Sequence, residues 1–136
     1  MAPITTIVHF TLAPPGVDRF LAFWQDHIRP EVSRQPGLVE GTLHRAVDPD
    51  GPFQFINVAR WESAEHLEAA LRATRDHLPQ MGLLFQQLGV TISQNNYIET
   101  VRYTAAAGGF SVDSAAVSSP AVISASATPP IPTRTR

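Results

Sequence analysis

An α+β fold, with an antiparallel four-stranded sheet and helices on one face, is the architecture this sequence predicts. Three observations carry it. Residues 4 to 12 (ITTIVHFTL) and 53 to 61 (FQFINVARW) are rich in β-branched and aromatic side chains and hold no chain breaker. Between them Val17, Phe20, Leu21, Trp24, Ile28 and Val32 recur at the spacing of one helix face. Asp48-Pro49-Asp50-Gly51 supplies a tight turn between two strand-like runs.

The elements follow in order. The first strand is expected over residues 4 to 12, and Ala13-Pro14-Pro15-Gly16 punctuates the chain after it. The helical stripe begins at Val17. Pro30 falls inside it and, lacking an N–H, is expected to kink the helix or to start a new turn. Gln35-Pro36-Gly37 ends that element. A second strand is expected over Leu38 to Val47, and the Asp48 turn leads into the third. Ser63 is placed to cap the next helix, with Glu65 in its first turn, where the helix dipole favours an acid. Leu67, Ala70, Leu71 and Thr74 continue that helix. Asp76 is a candidate cap for a shorter helix carrying Leu78, Met81, Leu84, Phe85 and Leu88, closed by Gly89. The last strand is expected within Val90 to Tyr103, over Tyr97 to Tyr103.

The order β-α-β-β-α-(α)-β is that of the split β-α-β, ferredoxin-like arrangement. The first and third strands read as apolar on both faces, so the face turned away from the helices needs a cover. The same sheet from a second copy is the simplest one, which makes the expected assembly a homodimer.

With 136 residues and 43% hydrophobic content, the chain holds enough apolar surface for one core and too little for two. Residues 1–103 are expected to form that domain. From Thr104 to Arg136, Ala, Ser, Thr, Pro and Val dominate without periodicity, so residues 104–136 are expected to be a disordered tail. A net charge of -2 argues against a nucleic-acid footprint. No apolar run is long enough for a membrane span, and the N-terminus lacks a signal-like pattern, which points to the cytoplasm.

The sequence has no Cys, which removes disulfides, thiol nucleophiles and thiolate metal sites. It has no Lys either, so a lysine Schiff base is excluded. No Gly-rich loop opens a helix, no Ser stands in a nucleophile elbow, and no His or carboxylate pair shows metal-ligand spacing. Hydrolase and nucleotide-binding readings fall away; the signal for a metal is weak, and none is expected.

Strand alternation puts Phe55, Asn57, Ala59 and Trp61 on one face of the third strand and Gln54, Ile56, Val58 and Arg60 on the other. An amide and an indole among aromatics on a buried face suit the wall of a pocket for a flat molecule. The plainer readings are an Asn that satisfies a sheet backbone group and a Trp that fills the core. A base would come from the five histidines, whose ordinary pKa lies near neutrality. His9 lies on the first strand, His27 one helical turn after Trp24, His44 on the second strand, His66 in the first turn of a helix, and His77 just past that helix, in a pocket-rim segment.

Phe53-Gln-Phe-Ile-Asn-Val-Ala-Arg-Trp-Glu-Ser-Ala, preceded by Gln35-Pro-Gly-Leu-Val-Glu-Gly and Leu43-His-Arg-Ala, resembles the antibiotic biosynthesis monooxygenase (ABM) domain family over about residues 4 to 103. The resemblance implies a small homodimer whose two sheets meet in a dimeric α+β barrel, with a pocket in each subunit between sheet and helices. It implies an enzyme that oxygenates an aromatic polyketide-like or phenolic metabolite with O₂, using no metal, flavin or haem. The same scaffold also hosts haem-binding and haem-degrading relatives, cyclases or isomerases, and proteins that hold an aromatic ligand without turnover. Those alternatives stay open on sequence.

Carried over by this resemblance, Asn57 and Trp61 match the strand Asn and Trp of the polyketide oxygenases. Leu67 stands where the family's Tyr is sought, and Met81 near its Arg. For the haem branch, Trp61 and His77 have the matching relation, while Val8-His9 stands where that branch carries an Asn. The candidate catalytic set is therefore Asn57, Trp61, His77 and His9. Phe10, Trp24, His27, Phe55 and Phe85 are the candidate substrate-binding residues, with Phe20 and Phe23 adding aromatic surface. No cofactor is expected, haem being the alternative.

Overall fold

A computed structural model describes residues 2–106 of the chain. Four strands, β1 (Ile4–Thr11), β2 (Leu38–Arg45), β3 (Phe55–Trp61) and β4 (Thr91–Tyr97), form one antiparallel sheet in the order β2-β3-β1-β4. This is the ferredoxin-like order, with β1 and β3 central. The helices are α1 (Val17–Phe23), α2 (Arg29–Ser33), α3 (Ala64–His77) and α4 (Gln80–Leu88). Residues 101–106 are exposed and carry no regular secondary structure. The tail expected over 104–136 lies almost wholly outside the described residues.

The helical stripe from Val17 to Val32 is continuous but not uniform. A five-residue π segment, Trp24–Ile28, joins α1 to α2, with a short 3-10 turn at Pro14–Gly16 before them. The widened turn falls just ahead of Pro30, which has no N–H to offer the preceding turn, and α2 restarts with that proline in its first positions. Ser63 caps α3 as its sequence position suggests, its Oγ accepting from the His66 N–H at 3.1 Å, with Glu65 in the first turn.

Four boundaries differ from expectation. β1 ends at Thr11 rather than Leu12, and β2 stops at Arg45. Asp76 caps nothing: α3 runs on through His77, and α4 starts after Pro79. The last strand is Thr91–Tyr97 rather than 97–103, because Gly89 takes the left-handed conformation (φ 69°), ends α4 and feeds the chain straight into the sheet. Every residue of β4 is exposed, so its composition, TISQNNY, lacks the apolar alternation of a half-buried strand.

Register fixes which side chains face the helices. Across β1 and β3 the helix-side neighbours are Ile4–Trp61, Thr6–Ala59, Val8–Asn57 and Phe10–Phe55. Gln94 and Asn96 of β4 flank Val8 and Thr6, and Leu43 and Gly41 of β2 flank Asn57 and Ala59. The core beneath the helices has two parts. Phe10, Leu12, Phe20 and Phe55 form one cluster, with Val8, Leu21, Trp24 and Phe85 packed against it. Ala59, Trp61, Leu67 and Ala70 form the other, joined by Ile4, Val32 and Leu71. Phe20 is fully buried, its ring 4.9 Å from Phe55, 5.1 Å from Phe10 and 5.5 Å from Phe85. Each such side chain contributes about 1.5–3 kcal/mol by burial.

The opposite face carries Thr5, Ile7 and His9 of β1, Ile56, Val58 and Arg60 of β3, and Thr42 and His44 of β2. Ile7, Ile56 and Val58 are half-buried there and belong to neither core cluster.

Candidate active site

Asn57 stands between the two core clusters. Its strand neighbours on the same face, Phe55 and Ala59, belong one to each cluster, and its cross-strand neighbours are Val8 and Leu43. An amide at a position framed by apolar residues is unfavourable unless it is paired or reaches a ligand. Asn57 is half-buried, and its side chain makes no hydrogen bond among the described residues.

Trp61 lies four residues along the same face. It is 2% exposed, and its Nε1 is a buried donor without a hydrogen-bond partner among the described residues. Leaving such a donor unsatisfied costs about 1–3 kcal/mol. A native fold tolerates this where the donor serves a ligand or a water.

Two polar residues that sequence reasoning passed over share this surface. Thr6 is buried (3% exposed) on the row between Asn57 and Trp61, and its Oγ1 accepts from Gln94 Nε2 at 3.2 Å. The hydroxyl keeps its own proton to donate. The signal for Thr6 was its place in the Ile4, Thr6, Val8, Phe10 alternation. Gln94 was hidden by the misplaced last strand. Because β4 is exposed throughout, the helices leave Ile92, Gln94 and Asn96 uncovered on the helix side, and the polar row opens to solvent at that edge.

The aromatic candidates divide by burial. Phe10 (6% exposed) and Phe55 (1%) are closed into the core, while Trp24 and Phe85 are half-buried at its margin. His27 is exposed, its ring 4.9 Å from that of Phe23.

The remaining histidines are separated by the sheet. His9 and His44 point to the face opposite Asn57 and Trp61, on either side of Ile56, and the His9 ring lies 4.4 Å from that of Phe53, tilted by 45°. His66 Nδ1 is 2.7 Å from Ser63 Oγ. His77 continues the Leu67, Ala70, Thr74 stripe to the end of α3, and its Nδ1 is 2.6 Å from Glu31 Oε2. Glu31 is itself 4% exposed and is also held by Arg34 and by Gln35 Nε2 at 2.9 Å. The His77 hydrogen bond, with help from Arg34, keeps the Glu31 carboxyl below the ordinary glutamate range against the opposing effect of burial. Sequence reading missed Glu31. Its signal was a position three residues after Ile28, on the buried side of the helix.

Two cavities indent the surface away from this row. One of about 350 Å³ is lined by Gln35, Pro36, Glu65, His66, Ala69 and Ala70. The other, about 360 Å³, lies by the β2–β3 turn against His44, Arg45, Phe53 and Ile56. Among the described residues no group of three or more His, Asp or Glu is placed to hold a metal ion, and no helix is long and apolar enough to cross a membrane.

The family model for antibiotic biosynthesis monooxygenase (ABM) matches residues 3–79, more than half of the chain, from β1 through the end of α3. The chain belongs to this family. Among solved structures, the ABM domain is similar to a protein from Shewanella loihica PV-4 that carries a provisional monooxygenase assignment. The two are 26% identical with a TM-score of 0.61, over 75% of this chain and 97% of that one. It is similar to SnoaB, a cofactor-independent oxygenase from Streptomyces nogalater, at 26% identity and TM-score 0.54, over 76% and 97% of the two chains. A monooxygenase from the gene ActVA-Orf6 of Streptomyces coelicolor, solved with nanaomycin D, shares the fold at 14% identity and TM-score 0.59, over 77% and 93%. No curated protein matches the sequence. The ABM match and the monooxygenases among these structures assign the domain to a monooxygenase-type scaffold.

Proposed function

We propose that this ABM domain is an oxygenase that uses O₂ directly on an electron-rich aromatic, of the anthrone or phenol type, with no metal or organic cofactor. One observation carries the reading. Asn57 and Trp61 present two polar groups without partners among the described residues, on the helix-facing side of one strand and amid apolar surface. That is the arrangement a flat, mostly apolar substrate with one or two oxygens requires. The similarity to a cofactor-independent oxygenase supports the absence of a cofactor.

The chemistry is balanced by the substrate itself. A base removes a proton from the methylene carbon of an anthrone, leaving an enolate whose oxygen accepts a hydrogen bond from the Asn57 amide, while the Trp61 N–H, four residues along the strand, serves a second oxygen of the substrate. The electron-rich carbon transfers an electron to O₂, the two radicals combine into a C–O bond, and the base returns its proton to the peroxide. Loss of water then leaves the quinone carbonyl. One oxygen atom enters the product and the other leaves as water. His77 is the base in this reading, exposed at the end of α3 beyond the buried Leu67, Ala70 and Thr74. A second copy of the chain covers the half-buried Ile7, Ile56 and Val58 on the other face, giving a homodimer.

The test is oxygen consumption by metal-free protein with anthrone, comparing wild type, Asn57→Ala and Trp61→Phe. Uptake that survives chelation and falls by about a hundredfold or more in both variants, roughly what one preorganised donor supplies, supports the reading. No uptake above the uncatalysed rate removes it. Light scattering on a sizing column tests the dimer, and a monomer at micromolar concentration would refute it.

A further inference from the structure

We propose that Glu31 is a positioning residue that holds His77 in a single tautomer, with the proton on Nδ1 and Nε2 left bare as the proton acceptor. The inference rests on the oxygenase reading for its purpose, though not for its geometry.

Four observations support it. Glu31 is 4% exposed, on the short helix α2, whereas the side chain of His77 is 57% exposed at the end of α3. The buried member of the pair is thus the carboxylate and the solvent-reaching member is the imidazole, which suits a group that must exchange a proton. The contact is short, 2.6 Å from Nδ1 to Oε2, and spans 46 residues of sequence. The carboxylate has further donors from its own helix region, Gln35 Nε2 at 2.9 Å and the Arg34 guanidinium, so it stays ionised and fixed. An ionised carboxylate only accepts, so the nitrogen facing it carries the hydrogen. In the neutral imidazole the other nitrogen, Nε2, is then the base.

None of the other four histidines has such a partner among the described residues. His66 Nδ1 faces a serine hydroxyl, His27 and His9 lie against phenylalanine rings, and His44 lines the cavity by the β2–β3 turn. A base oriented by a third group is the recurring logic of activated sites. The charged groups about the pair are Glu31 on α2, Arg34 at its C-cap, and Arg75 and Asp76, exposed beside His77 in the last turn of α3.

The experiment reads the tautomer directly. Two-bond ¹H–¹⁵N correlation spectra of the full-length ¹⁵N-labelled protein at pH 8 report which ring nitrogen of each histidine bears the proton. His77 is assigned by the signals lost in His77→Gln. The expected result is a predominantly Nδ1–H ring in wild type, and a clear shift towards the Nε2–H form in Glu31→Met. Glu31→Leu, which likewise offers no acceptor, serves if the Met variant does not fold. A wild-type ring that is mainly Nε2–H, or a tautomer unmoved by substitution at Glu31, overturns the inference.

These spectra are recorded without substrate, so they stand or fall separately from the oxygenase reading. Where wild type consumes oxygen with anthrone, Glu31→Met should lower kcat by about tenfold or more, short of the roughly 10²–10⁴-fold a general base itself supplies, with KM within about twofold. An unchanged kcat would show that Glu31 positions nothing the reaction uses, and would overturn the positioning role.

Discussion

The side-chain carbonyl of Gln54 accepts a hydrogen bond from the main-chain N–H of Leu12 at 2.8 Å, in a buried site where β1 ends. The same amide donates through Nε2 to the Gly51 carbonyl at 2.9 Å. One 7%-exposed side chain thereby ties the β2–β3 turn to the exit of β1 and satisfies two backbone groups that no strand reaches.

Gln54→Leu keeps the approximate volume and removes both bonds, leaving the Leu12 N–H buried without a partner. The expected loss is about 1–3 kcal/mol, read as a lowered urea midpoint with an unchanged slope. A variant as stable as wild type would show that solvent reaches the Leu12 amide.

Gly37 has φ 91°, and a Cβ built there would lie 2.3 Å from the His66 ring. Its carbonyl accepts from the Glu62 N–H at 2.8 Å, so the loop before β2 is pinned against the start of α3 and cannot withdraw. Gly37→Ala combines backbone strain with a clash that pushes the imidazole off Ser63. The expected cost is about 1–3 kcal/mol, measured by thermal unfolding, with the His66 ring resonances displaced. Unmoved His66 resonances would contradict the packing described.

The Glu31 cluster gives a pH dependence whose sign follows from the lowered carboxyl pKa. The folded protein binds this proton less readily than the unfolded chain does. The stabilisation is therefore complete above the ordinary glutamate value of about 4.3 and is lost as pH falls through the lower folded value. Urea midpoints of wild type and Glu31→Gln should differ most near neutrality and converge below about pH 4. A gap that stays constant down to pH 3 would mean the carboxylate is not what the cluster stabilises.

How far the sequence could be read depended on how each residue's burial is encoded. The β3 alternation and the Ser63 cap were legible because one side of β3 faces a dry core and a cap is a local hydrogen bond. The last strand was not legible. Ile92, Gln94 and Asn96 belong to an exposed edge whose pairing is specified by the partner strand rather than by their own polarity. Glu31 was missed for a related reason: a charged residue on a helix reads as solvent-facing, and only the fold brings His77 from 46 positions away to accompany it. Asn57 and Trp61 could be singled out, but that Trp61 lacks a partner is a property of three dimensions alone.

That unpaired indole leads to a comparison within the core. Trp61→Phe shortens a buried ring and opens a cavity, which destabilises, but it also removes a donor whose unmet hydrogen bond costs about 1–3 kcal/mol. The two effects oppose, so the net change should be small, within about 1 kcal/mol. Phe20→Ala has no such compensation. It removes a fully buried ring packed on Phe10, Phe55 and Phe85, and should cost about 3–5 kcal/mol, a large share of the stability of a domain this size. Urea unfolding of both variants under one set of conditions decides the matter. A Trp61→Phe loss as large as that of Phe20→Ala would mean the indole N–H is satisfied in solution, and would remove the reason for assigning that donor to a substrate.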